Sequence, residues 1–490
     1  MNPELTSPIK TTISITNMCN LNCKYCYSKC TKIESADELS ADEWKDVMDQ
    51  AIDHGVIHFF VEGGEPLMRD DLFDILGHCK RRAMLWLRTN GTLMTRELAK
   101  KAKNVGVSTV MVDIHGAEAA THERVVGESG SHAKAIQAVK YCRELGIQTY
   151  MLMILNRHNK DEVQDYVNLA HQLGAAKVGI LRLYPVGWAR DRWKELALTL
   201  EEMKCSVSNV NVPQGIGYMQ SWHPNDGNCC YQLSAISASG DSIGCPYLRD
   251  FVRYGNMRET TFASSWNHPL WRLLRRGDVK DACVDCGATQ GSFGGCRSTA
   301  YAFTGDWEAS DPFCEKSNNG IDLTILPDVP LVSAVAQRTQ QVDVDMNARL
   351  SNSLGSSNSA SGAVEISAAA VSDKMELPES ATSDAIAFGV QHKVDPITSA
   401  TVIQKKQGLR IRDVPEWKSA IVFDPDQTDL QMINMSSRLL IELCIKAKTV
   451  DELLEEYSNI LATKIDKATA ASQVFKGVSD LVRNRLVERL

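Results

Sequence analysis

Short apolar runs alternate with amphipathic stretches over the first 190 residues. TTISIT at 11–16 reads as a strand. Ser40, three residues ahead of Glu43, forms a capping box that opens a helix over ADEWKDVMDQAIDHG. IHFFVEGG then reads as strand and loop, DDLFDILGHCKRR as helix, and AMLWLRTNG as strand and loop. RELAKKAKNVG, HAKAIQAVKYCRELG and DEVQDYVNLAHQLG read as helices; STVMVDIHG, TYMLMILN and KVGILRLYPVG read as the strands among them. Six strands alternating with helices predict an α/β fold with a parallel sheet and right-handed crossovers. The strands are apolar along their length, as when both faces are covered. The expected architecture is a partial (β/α)6 barrel over residues 8–190, with its chemistry in loops at the C-terminal ends of the strands.

The pattern changes after that. Thr199 and Glu202 cap one more helix. Residues 191–320 then carry short strands, many glycines and, between 229 and 314, seven cysteines, the mark of a small domain held by metal. Residues 321–407 read mostly as a flexible linker: LSNSLGSSNSASGAVEISAAAV offers little apolar surface to offset the entropy of ordering. Residues 408–490 regain pattern. GLRIRDV, SAIVF and DLQMIN predict three short strands; SSRLLIELCIKA, VDELLEEYSNILA behind Thr449 and Glu452, and TAASQVFKGVSDLVRNRL predict three helices. This is a small winged-helix-like α+β module.

Composition narrows the function. A length of 490 residues suits about three domains. No apolar run approaches the ~18 residues of a membrane span, and MNPELTSPIKTT is no secretory signal. The expected location is the cytoplasm, where patterned cysteines bind metal more often than they form disulfides. A net charge of −8 argues against a general nucleic-acid binder. Of 15 cysteines, four lie between 19 and 30 and seven between 229 and 314. Cys79, Cys142, Cys205 and Cys444 are scattered and read as small buried hydrophobes.

Cys19-x3-Cys23-x2-Cys26 follows the first strand directly. Three thiolates from one loop can hold three irons of a cubane cluster and leave the fourth iron open. A structural zinc would need a fourth protein ligand, which Cys30 could supply. The spacing, with Tyr25 before the third cysteine, resembles the signature of radical S-adenosylmethionine (SAM) enzymes. The resemblance implies a [4Fe–4S] cluster whose open iron binds SAM, and a 5′-deoxyadenosyl radical that abstracts a substrate hydrogen. Gly63-Gly64-Glu65-Pro66 after the second strand resembles that family's GGEP loop. Its glycines would let the backbone approach a ligand, and Glu65 would accept from the SAM amino group; a plain strand-to-helix turn is the alternative. Asn90 stands in the matching loop after strand three, and Asp113 takes the position of the usual ribose contact. His115 stands where the family usually has Asp and reads as a structural histidine, with a ribose contact as the alternative. Arg124 and Asn156 are candidates for the SAM carboxylate and the adenosine, and Tyr184 opens a P-x-G turn after strand six.

The second group, Cys230-x9-Gly240-x4-Cys245, Cys283-x2-Cys286, Cys296 and Cys314, resembles the SPASM extension that holds two auxiliary iron–sulfur clusters. That likeness implies one cluster on Cys230, Cys245 and Cys296 with Cys229 as a possible fourth ligand. It implies another on Cys283, Cys286 and Cys314, with Ser292 or a carboxylate such as Asp285 where the pattern has a cysteine. The tail resembles the RiPP recognition element, similar to the peptide chaperone of pyrroloquinoline quinone biosynthesis, on its strands, the Ile433-Asn434-Met435-Ser436 turn and its helices. That family binds a leader peptide by adding it as a strand to a sheet edge.

Together these resemblances imply a SPASM-type radical SAM enzyme that matures a ribosomally made precursor peptide. It would form a C–C, C–S or C–O cross-link, with auxiliary clusters accepting electrons and a flavodoxin or ferredoxin as donor. No partner nucleic acid or membrane is expected. The alternatives are a maturase of a folded protein, of the sulfatase-maturing type, an enzyme acting on a tetrapyrrole, and a zinc-bearing winged-helix regulator.

Overall fold

The computed structural model describes residues 4–33, 35, 37–221, 230–276, 279–280, 283, 286, 294–331, 396–462 and 464–490. The chain forms two units, the second containing the C-terminal module.

In the first unit the predicted β/α alternation is present. The strands are β1 (Lys10–Ser14), β2 (His58–Glu62), β3 (Met84–Thr89), β4 (Val107–Asp113), β5 (Gln148–Ile154) and β6 (Lys177–Leu181). The helices between them are α1 (Ala41–Asp53), α2 (Leu72–His78), α3 (Arg96–Asn104), α4 (Ala119–Val126), α5 (Ser131–Glu144) and α6 (Val163–Gln172). The sheet is wider than expected. β7 (Gly217–Gln220) joins β6, and β8 (Leu233–Ile236) joins β1, giving the order β7-β6-β5-β4-β3-β2-β1-β8. Both added strands pair in parallel. The cysteine-rich segment therefore extends the barrel sheet at its first strand. After β6 come the short helices α7 (Gly187–Asp191), α8 (Trp193–Leu196), α9 (Leu200–Val207), α10 (Phe262–Trp266), α11 (Pro269–Arg276) and α12 (Arg297–Thr304). The capping boxes predicted at Ser40 and Thr199 are both formed.

Strand register sorts the side chains onto two faces. Phe59, Val61, Leu85, Leu87, Val110, Val112, Met151, Met153, Val178 and Ile180 share one face and are fully buried. The other face carries an apolar patch of Met111, Tyr150 and Leu152 with Phe60, Trp86, Leu181 and Met219. Toward the C-terminal strand ends this face turns polar, with Ser14 beside Glu62 and then Arg88 and Asp113.

Two buried histidines give the unit a pH signature. Burial pushes His58 and His122 down to about 3. Unfolded histidine takes a proton near pH 6.5, so unfolding takes up protons as pH falls from about 6.5 toward 3. Stability is full above that window and falls by ~1.4 kcal/mol per pH unit per histidine within it. Glu65, which burial pushes up to about 7, has the opposite sign and offsets one histidine over this window, so the effect is read as a difference in urea midpoints between wild type and variant from pH 6.5 to 4.5. His58→Phe should make the histidine-linked fall shallower, because its Nε2 has no partner to lose.

The second unit has two small antiparallel sheets. β10 (Arg410–Val414), β11 (Ser419–Phe423) and β12 (Gln431–Asn434) are the three predicted strands, in that order. β9 (Val402–Lys405) lies between β13 (Lys448–Thr449) and β14 (Val487–Arg489) in the other sheet. The ordered module therefore begins before residue 408, inside the segment read as linker. Helices α13 (Met435–Leu443), α14 (Val450–Ile460) and α15 (Lys467–Arg483) share one core with β9 and β11 through Ile403, Val422, Leu440, Leu453, Tyr457 and Val478. Asn434 caps α13 by accepting from the Ser437 N–H over 2.8 Å, which accounts for the Ile433–Ser436 turn. Arg438 ties α13 to β10 through Asp413 at 2.8 Å.

Of the scattered cysteines, Cys79, Cys142 and Cys444 are buried as expected, but Cys205 is exposed. It sits on the outer side of α9, where its thiol meets Glu201.

Candidate active site

The loop after β1 is held by backbone on every side. The Cys19 N–H donates to Thr31 O (2.7 Å) and the Thr31 N–H to Asn17 O (3.1 Å), closing the loop on itself. Lys24 and Asn22 donate to the last carbonyls of α4, Val125 and Val126. Trp188 N–H donates to Cys26 O over 2.7 Å.

Three glycines make these approaches possible. A Cβ on Gly63 would lie 2.4 Å from Thr16 O, one on Gly64 2.1 Å from Met18 O, and one on Gly187 2.4 Å from Tyr27 backbone. The Gly64 and Glu65 N–H groups donate to Thr16 O and Met18 O at 2.6 and 2.8 Å. Gly63 and Gly64 were expected to bring backbone to a ligand; here they bring it to the cysteine loop itself. Gly64→Ala is expected to destabilise the first unit by ~1–3 kcal/mol, because the obstructing atoms are main chain. Thermal unfolding and iron content after anaerobic reconstitution should fall together.

This packing brings Cys19, Cys23 and Cys26 within electrostatic range of one another. Burial, chiefly, pushes Cys19 up to about 12 and Cys23 well above the usual thiol range. Cys30 donates to Cys26 and holds it below that range. Two buried thiols that resist ionising alone, beside a third that ionises readily, suit a multivalent cation, which inverts the balance at the first two. Among the described residues no three His, Cys, Asp or Glu side chains converge as ligands of a single ion; in a cubane cluster each thiolate takes its own iron.

Around the thiols, Glu65 is fully buried and accepts from Thr89 Oγ1 (2.7 Å), Asn90 N–H (2.8 Å) and Leu67 N–H (3.1 Å). Burial pushes its carboxyl up to about 7 against those three donors. Asn90 donates to Asn20 Oδ1 at 3.0 Å and reaches Cys19 Sγ at 3.9 Å. Asp113 is paired with Arg88 at 2.9 Å, so its carboxylate already has a protein partner. Tyr25 meets His115 through its hydroxyl. Tyr184 stacks on Tyr247 with ring centroids 3.5 Å apart.

Two candidates are placed otherwise. Arg124 is exposed on α4. Asn156 is fully buried, with Nδ2 on Ile154 O (2.9 Å) and Oδ1 accepting from His158 N–H (3.0 Å), so its amide braces its own loop. Sequence reasoning missed Glu62, Arg88, Tyr27 and Arg249, which line the polar strand ends. Arg88 lies 3.8 Å from Glu62, and the Arg249 guanidinium lies over the Tyr27 ring at 4.9 Å. The available signal was a charge ending an otherwise apolar strand, as Glu62 does.

Farther along, Cys230 hydrogen-bonds Cys245 and feels Cys296, while Cys283 feels Cys286 and Cys314. The two expected sets are thus each gathered. Cys229, Asp285 and Ser292 lie outside the described residues. Arg297 lies within electrostatic range of both sets and is buried, donating to the carbonyls of Gly294, Trp307 and Ala309. Thiolate-bound metal would supply the negative charge such a buried cation needs. Asp311 joins this region to β6: it accepts from Cys296 N–H (2.8 Å) and pairs with Arg182 (2.9 Å).

The sequence profile of the radical SAM superfamily matches residues 13–170, the span that holds the end of β1, the cysteine loop and strands β2 to β5. Residues 13–170 are a radical SAM domain. Among curated relatives, "PqqA peptide cyclase" of Rhodopseudomonas palustris is 28% identical over 333 residues, covering 63% of this chain and 87% of the relative. "AdoMet-dependent heme synthase" of Methanosarcina barkeri is 28% identical, covering 61% of this chain and 94% of the relative. Among solved structures, Streptococcus suis SuiB bound to SAM is 17% identical with a TM-score of 0.54, covering 64% of this chain and 78% of that one. A radical SAM enzyme works with a [4Fe–4S] cluster and SAM, and the gathered thiols fit that cluster.

Proposed function

We propose that this radical SAM enzyme cross-links a ribosomally made precursor peptide through a side chain or α-carbon. The observation that carries the reading is the match along most of the length of proteins named PqqA peptide cyclase. SuiB, which shares the fold, has been solved with its precursor peptide SuiA. When bound, the cluster and SAM supply a 5′-deoxyadenosyl radical that takes a hydrogen atom from the substrate.

The chain's own residues divide the work. Cys19, Cys23 and Cys26 hold the cluster. Glu65 and Asn90 present oxygen and amide groups beside Cys19 for the methionine end of SAM, and the Tyr25, Tyr184 and Tyr247 rings border the site. The two downstream cysteine sets would hold auxiliary clusters that accept electrons, and a cytoplasmic flavodoxin or ferredoxin would deliver them to the first. The C-terminal module captures the leader. Its three-stranded sheet ends in β10 and β12, whose outer edges offer backbone for β-augmentation.

The relative named as a heme synthase favours a second reading, a tetrapyrrole substrate. The C-terminal module has no use in that reading. Metal and sulfide analysis of anaerobically reconstituted protein tests the cluster assignments. About twelve irons per chain are expected for three cubane clusters. About four would remove the auxiliary clusters, and zinc in their place would overturn the electron path.

A further inference from the structure

His115, just after β4, has no assigned part in the reaction. It is fully buried, and its two ring nitrogens face different partners. The Ile154 backbone N–H donates to Nδ1 over 3.1 Å. Nε2 meets the Tyr25 hydroxyl. A ring nitrogen that accepts an N–H carries no proton of its own. The ring is therefore the neutral Nε2–H tautomer, and Nε2–H donates to the Tyr25 oxygen. A charged ring would aim a second N–H at Ile154, and burial, with His122 and Arg88 nearby, also opposes it.

With its oxygen accepting, Tyr25 has a proton to place elsewhere. Cys23, two residues earlier in the loop, is the thiol that interacts with that hydroxyl. The arrangement is fixed from behind. The His115 N–H donates to His122 Nδ1 (3.0 Å), and its carbonyl accepts from Asn159 Nδ2 (3.0 Å). The imidazole and phenol rings lie 4.3 Å apart between centroids. Cys19 Sγ accepts instead from the Leu21 N–H at 3.5 Å.

We propose that His115 is a positioning residue that acts through Tyr25, turning the phenol so that its proton points at the sulfur of Cys23. The inference rests on Cys23 being a cluster ligand. A hydrogen bond to a ligating sulfur withdraws negative charge and raises the reduction potential of the cluster. Polarisation by His115 strengthens that bond.

The test is the midpoint potential of the SAM-binding cluster in the full chain, followed by electron paramagnetic resonance on the signal that shifts when SAM is added. Tyr25→Phe should move the midpoint negative. His115→Asn keeps an acceptor for Ile154 but is too short to reach Tyr25; it should move the midpoint in the same direction by no more than Tyr25→Phe does. The double variant should match Tyr25→Phe alone. An unmoved midpoint in His115→Asn, or shifts that add in the double variant, would overturn the relay while leaving the cluster assignment standing. A wild-type chain that binds no iron overturns both. If His115→Asn does not fold, nitrogen-15 spectra of the wild-type imidazole decide: an Nδ1–H or doubly protonated ring contradicts the proposal.

Discussion

Cys23→Ala is expected to abolish formation of 5′-deoxyadenosine from SAM and to remove one cluster's iron from the chain. The loss should be far larger than the ~10–100-fold typical of residues that only brace a metal ligand. Cys23 sits in the middle of a loop whose backbone is pinned at Thr31, at the end of α4 and at Trp188. Removing its sulfur leaves that scaffold intact and deletes a coordination position. Circular dichroism should therefore be unchanged while activity falls to background. Cys142→Ala, a buried cysteine in α5 away from both cysteine groups, serves as the control. It should cost some stability and no iron. Retained SAM cleavage in Cys23→Ala would mean that another thiol, with Cys30 the nearest choice, holds the iron.

Removing residues 396–490 is the second large effect. SAM cleavage without peptide should persist at the full-length rate. Peptide modification should fall by ~10²–10⁴-fold, the range by which tethering raises the effective concentration of a bound substrate. The cut must precede β9: truncation at 408 would leave the central strand of one small sheet without β13 and β14. Undiminished modification by the truncated enzyme would assign leader capture to another surface.

The six β/α units were legible because each strand and helix carries its own period, and the capping residues Ser40, Thr199 and Thr449 mark helix starts locally. The cysteine loop was legible for a similar reason, since spacing along one segment decides which thiols can meet. What stayed hidden depends on pairing across long separations. β7 and β8 are four residues each and are defined by the strands they join, not by a pattern of their own. β9 becomes a strand only through its distant partners β13 and β14. The packing of Gly63 and Gly64 on Thr16 and Met18 stayed hidden for the same reason: a glycine's need for space shows in sequence, but the backbone that fills it does not. Asn156 and Asp113 looked available because a sequence does not show that Ile154, His158 and Arg88 already engage them.

The central claim is that a SAM-derived radical is used to modify a peptide. The most direct measurement incubates the anaerobically reconstituted chain with SAM, reductant and a candidate precursor peptide, and follows both products by mass spectrometry. The account predicts a peptide lighter by two hydrogens, formed in step with 5′-deoxyadenosine. 5′-Deoxyadenosine released with the peptide left at its starting mass would contradict it.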